Sequence, residues 1–129
     1  METMKYVSKD KVFLLDIATC FTNAGYKTDF HDYMGEALVV FYMEGDAYCR
    51  WFEDSFEYHE IEQVNKWQQK DSSLKYLLSI QYVYNNMPSL AELLRNILEC
   101  YGGFIYLEGE FFDVTNFNGI SDVSLDDGL

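Results

Sequence analysis

The chain has 129 residues, 49 % of them apolar and 18 % aromatic, with 22 acids against nine Lys and Arg for a net charge of −13. A single domain of this size buries a core without disulfide or metal staples, and so high an aromatic share argues against disorder over most of its length. A field of that sign repels nucleic acids and anionic lipid surfaces, so neither is an expected partner, whereas a basic protein is.

The first residues, METMKYVSKDKV, lack the apolar centre of a signal peptide. The longest apolar run, Ala37 to Met43, falls far short of the roughly 20 residues of a membrane span, so a cytoplasmic location is expected. Cys20, Cys49 and Cys100 are widely separated and odd in number, which favours reduced thiols packed as small apolar groups.

In chain order, residues 9–24 predict a helix. Ser8 is placed to cap it, Asp10 sits in its first turn, Phe13, Ile17 and Phe21 form an apolar stripe, and Gly25 ends it. A short strand is expected around Tyr26 to His31. Glu36 to Phe52 reads as a hairpin turning at Glu44-Gly45-Asp46. Ile61, Val64 and Trp67 fall at helical spacing, so residues 56–70 predict a second helix capped by Asp54 or Ser55 and ended by Asp71-Ser72-Ser73. From Leu74 to Tyr84, Tyr76, Leu78, Ile80, Tyr82 and Tyr84 alternate with mixed residues, the mark of a strand with one strongly apolar face. Ser89 and Glu92 match a capping box ahead of a third helix, striped by Leu90, Leu93, Leu94, Ile97, Leu98 and Tyr101 and ended by Gly102 or Gly103. A closing hairpin pairs Phe104 to Leu107 with Glu110 to Val114. The expected fold class is α+β: a largely antiparallel sheet of five to six strands with two or three helices packed on one face, forming one domain over residues 1–114, with 115–129 an acidic, flexible tail.

Catalytic motifs are not evident. The two histidines, His31 and His59, each lie among acids, but only His59 and Glu62 have the three-residue spacing of a helical ligand pair, and a solvated acidic face explains them as well. Cys49 lies within a strand pattern, with nothing beside it that lowers a thiol pKa. Gly102-Gly103 follows a helix instead of opening one, so it cradles no phosphate. The expectation is a protein with no catalytic residues, no metal and no cofactor.

The informative feature is where the charge sits. Asp29 to Glu62 holds ten acids and one base, interleaved with aromatics. Acids beside exposed aromatics suit a binding surface, since aromatics supply contact area and acids steer a basic partner; the alternative is an aromatic core under a solvated acidic face. The candidate partner-binding residues are Glu53, Asp54, Glu57, Glu60 and Glu62, with Trp51 as anchor.

From Ser89-Leu-Ala-Glu-Leu-Leu through Cys100-Tyr-Gly-Gly-Phe-Ile-Tyr-Leu-Glu-Gly-Glu-Phe-Phe-Asp113, the chain resembles small bacterial immunity proteins of polymorphic-toxin and contact-dependent-inhibition systems: a helix ends in Gly-Gly, a strand follows, and an acidic turn leads to a final strand ending in Asp. The earlier part, through Gly25-Tyr26, the hairpin and Val64-Asn65-Lys66-Trp67, resembles YbjN-like domains of the secretion-chaperone-like fold, which are also binding proteins. The first resemblance implies a stoichiometric inhibitor, monomeric or homodimeric, that neutralises a basic partner such as a nuclease toxin. Three alternatives stay open: a phage-encoded nucleic-acid mimic that blocks a defence nuclease, a chaperone-like module binding peptides through the strand from Tyr76 to Tyr84, and a small metal-dependent hydrolase built on His59.

Overall fold

A computed structural model of the protein describes residues 2–33, 36–42, 48–82, 87–107 and 109–115. The elements run β1 (Glu2–Ser8), α1 (Leu14–Asn23), β2 (Lys27–Tyr33), β3 (Glu36–Tyr42), β4 (Tyr48–Asp54), a 3-10 turn (Phe56–Tyr58), α2 (Ile61–Lys70), β5 (Tyr76–Tyr82), α3 (Met87–Tyr101), β6 (Phe104–Leu107) and β7 (Glu110–Phe112). The fold is α+β. Its sheet orders the strands β2-β3-β4-β5-β1-β6-β7, and every neighbouring pair is antiparallel.

The seventh strand is the one the sequence reading passed over. β1 lies in the middle, paired with β5 on one side and β6 on the other. Its residues alternate: Met4 and Tyr6 are buried on one face, while Thr3, Lys5 and Val7 take the other. Because Ser8 belongs to this strand, it caps no helix. The first helix starts instead at Leu14, where the Phe13 backbone N–H donates to the Asp16 carboxylate at 3.2 Å. Its end follows expectation: Gly25 has φ 95°, and the Tyr26 N–H closes back on the Phe21 carbonyl at 3.0 Å.

The other boundaries shift in similar ways. β4 runs on to Asp54, so neither Asp54 nor Ser55 caps α2, which begins only after the 3-10 turn with Glu60 at its N-cap. Asp71 ends α2 as expected, its Oδ1 accepting from the Ser73 N–H and hydroxyl at 2.9 and 2.6 Å. α3 begins at Met87, two residues before Ser89, so the Ser89–Glu92 box is not its cap. The turn at 44–46 and the tail from 116 lie outside the described residues.

The helices divide between the two faces. α1 and α3 share one side with Met4, Tyr6, Cys49, Trp51, Leu78, Ile80, Tyr82, Ile105, Leu107 and Phe112, the main core. α2 lies on the opposite side, where Val64 and Trp67 pack with Val7, Leu74 and Leu77 against Phe56, Phe104, Tyr106 and Phe111. Two helices, α1 and α3, thus pack on one face as expected, and α2 covers the other. Over β6 and β7, Lys66 Nζ stands 5.5 Å from the Tyr106 ring centre and Lys70 Nζ 5.3 Å from that of Phe104. Each such cation–π contact contributes about 0.5–1 kcal/mol at a surface. At the end of α3, Gly103 has φ 86°, and a Cβ there would lie 2.6 Å from the Val7 carbonyl oxygen, so only glycine lets the chain pass this close to β1.

Candidate functional site

The acidic candidates separate once β4 is in place, because alternate residues of a strand point to opposite faces. Trp51 faces α1 and α3 and is 0 % exposed, edge-on to Tyr6 and Phe21 at centroid distances of 6.4 and 6.2 Å. It is a core residue, and the expectation of a Trp51 anchor at a surface is corrected. Glu53 has the same parity and is exposed at the strand's end.

Asp54 points to the α2 face and is consumed there. Its Oδ2 accepts from Lys5 Nζ at 3.0 Å and from the Ser79 hydroxyl at 2.6 Å, and it meets His59 Nε2 at 2.8 Å; its Oδ1 accepts from the Ser55 N–H at 2.8 Å. Burial pushes the Asp54 carboxyl up, but the bonds from Ser79, His59, Lys5 and Ser55 outweigh it and hold the group below the usual carboxylate range. An oxygen with three partners has no lone pair to offer an incoming guanidinium, so Asp54 positions its neighbours instead of meeting a partner.

The same geometry bears on nucleophilic chemistry. Ser79 and His59 both bond to Asp54, and the Ser79 hydroxyl donates to the carboxylate instead of to the imidazole. The trio therefore lacks the Ser–His hydrogen bond of a catalytic triad. Burial pushes the Cys49 thiol up to about 12, which leaves it protonated and unreactive at neutral pH. Among the described residues no three His, Cys, Asp or Glu side chains converge as metal ligands, and none of the helices is long and apolar enough to cross a membrane.

Glu57, Glu60 and Glu62 remain together and exposed, on the 3-10 turn and the first turn of α2. Between them stand two residues that were not among the candidate partner-binding residues: Tyr58 is 78 % and Ile61 71 % exposed. The sequence carried no clear signal for this, since Ile61 shares helical spacing with Val64 and Trp67, yet as the first residue of α2 it stands in solvent while they are buried. The expected binding face on the strand from Tyr76 to Tyr84 does not form: Leu78, Ile80 and Tyr82 are buried under α1 and α3, and Tyr84 lies outside the described residues.

Beside the acidic turn a groove of about 410 Å3 runs between α2 and the β1–β6 part of the sheet, lined by Thr3, Met4, Lys5, His59, Glu60, Gln63, Trp67 and Tyr106. Trp67 forms its apolar wall, with His59 edge-on at 5.3 Å and Tyr106 at 5.8 Å between ring centres. The chain matches no protein-family model, and no match was found among curated proteins or solved structures.

Proposed function

We propose that the protein is an acidic inhibitor of the immunity type, which neutralises a basic protein partner such as a nuclease toxin by one-to-one binding through the 3-10 turn and the start of α2. One observation carries this reading: Tyr58 and Ile61 stand in water with Glu57, Glu60 and Glu62 exposed around them. Two large apolar side chains held outside the core within a ring of acids have the composition of a contact centre with a charged rim. The rim steers a basic partner and pairs with the Lys and Arg that would otherwise hold phosphate, and Tyr58 supplies the anchor. The net charge of −13 favours the same encounter at longer range.

The test is capture of the partner from native lysate at low salt by wild type, by Tyr58→Ala and by a Glu57→Lys, Glu60→Lys, Glu62→Lys triple variant. The expected result is one basic protein held near one-to-one by wild type and released by salt. The triple variant should lose it, and Tyr58→Ala should hold it about tenfold more weakly or worse. A partner captured equally by all three, with the same salt sensitivity, overturns this surface.

A further inference from the structure

The groove between α2 and the sheet lies next to this acidic turn but has its own chemistry. Its volume of about 410 Å3 falls in the range of roughly 300–1,000 Å3 usual for small-molecule sites. The floor is made by the sheet and offers donors. Thr3 and Lys5 share a strand face, and Tyr106 is the cross-strand partner of Lys5. Lys5 directs two of its three protons to Asp54 and Ser79, and among the described residues no acceptor takes the third. The α2 side offers an acceptor, the Glu60 carboxylate, beside His59. His59 turns its Nε2 to the Asp54 carboxylate. Trp67 closes the apolar end.

A groove with hydrogen-bond donors on its floor, a carboxylate at its side and an aromatic end is matched by a ligand carrying all three opposites. A bare carboxylate would meet the Lys5 donor but lie beside the Glu60 carboxylate, and a bare amine would meet Glu60 but leave the donors of the floor unmet. We propose that the groove binds a free α-amino acid with an apolar side chain. Its carboxylate takes the remaining Lys5 proton with the Thr3 and Tyr106 hydroxyls, its ammonium group donates to Glu60, and its side chain lies against Trp67. The groove shares Glu60 with the protein–protein surface proposed above, but Lys5, Thr3, Tyr106 and Trp67 belong to the groove alone.

The test uses L-phenylalanine as probe, followed through the two indole N–H signals in a 15N-labelled sample, with Trp51→Phe to assign them. Trp51, on the opposite face of the sheet, is the internal control. L-Phenylalanine should move the Trp67 signal saturably and leave that of Trp51 in place. 3-Phenylpropionate, which lacks the amine, and phenethylamine, which lacks the carboxylate, should each bind about tenfold more weakly or worse. Lys5→Met should weaken L-phenylalanine to a similar degree, and Glu60→Gln, at an exposed residue that the fold does not need, should do the same with the spectrum otherwise unchanged. Absence of a saturable shift overturns the proposal, as does 3-phenylpropionate binding as tightly as L-phenylalanine, or a Glu60→Gln variant of unchanged affinity.

Discussion

Two cross-strand rows run side by side through the sheet and differ in almost every property. On the face under α1 and α3, Leu78, Tyr6, Ile105 and Phe112 are neighbours across four strands, and all are buried. On the opposite face the row is Phe52, Ser79, Lys5, Tyr106 and Phe111, half-buried throughout, with an ammonium group at its centre. The first face is sealed by two helices and can be wholly apolar. The second is covered by one ten-residue helix, which leaves room for a groove and for water at its edge. Lys5 is tolerated there because Asp54 compensates it, and Asp54 in turn is tolerated because four donors reach it. The stable face and the chemically addressable face are thus built from the same strands, one residue out of phase.

That contrast can be broken most forcefully at the two tryptophans. Trp51→Ala should cost about 3–5 kcal/mol, a large part of what a domain of this size possesses. Trp67→Ala should cost measurably less, since its smaller cluster borders a groove and can relax into it. Urea denaturation of both variants decides the matter, and an equal or greater loss at Trp67 would remove the distinction between the faces.

The polar side is sharpened by Asp54→Asn, expected to cost about 1–3 kcal/mol at neutral pH, because Lys5 and His59 lose their charged acceptor. The folded-state pKa of Asp54 is depressed, so its contribution is fully present above the unfolded-state carboxylate pKa of about 3.9 and is lost as the pH falls through the lower, folded value. The stability gap between wild type and Asp54→Asn should therefore stay flat at neutral pH and close only in acid. Adding Lys5→Met to Asp54→Asn should recover part of the loss, as no unpaired ammonium then remains against the sheet. The smallest effect belongs to Tyr58→Ala and Ile61→Ala, each within about 0.5 kcal/mol of wild type, as befits side chains that the fold leaves in solvent. A large loss at either would show that they support the fold instead of awaiting a partner.

Much of this architecture is legible in the chain. The α1, α2 and α3 stripes, the hairpin partners of β3 and β6, and the alternation of β5 all mark real elements, because each depends on a period that burial imposes locally. What the sequence hides is assignment between faces. Trp51 and Tyr58 are both aromatics in an acidic stretch, and only the parity of β4 and the 3-10 turn after it sends one inward and the other out. Asp54 reads as one acid among ten, since Lys5 and Ser79, which occupy it, come from distant strands. β1 was equally visible in principle: its alternation of Met4 and Tyr6 with Thr3, Lys5 and Val7 has the period of a strand, but Ser8 and Asp10 offered a competing helix start.

The central position of β1 has a consequence for biosynthesis. Translation produces this strand well before its two partners, β5 and β6, which lie about 70 to 100 residues further along the chain. Until they emerge, the strand that joins the two halves of the sheet has both edges unpaired. Sheet closure is then a late event that joins distant segments, the kind of topology that folds slowly and leaves an interval in which a chaperone or an intruding strand can occupy the gap. A nascent chain halted before β5 would carry β1 as an unclaimed edge, and its solubility would rest on the same acidic charge that the finished protein turns outward.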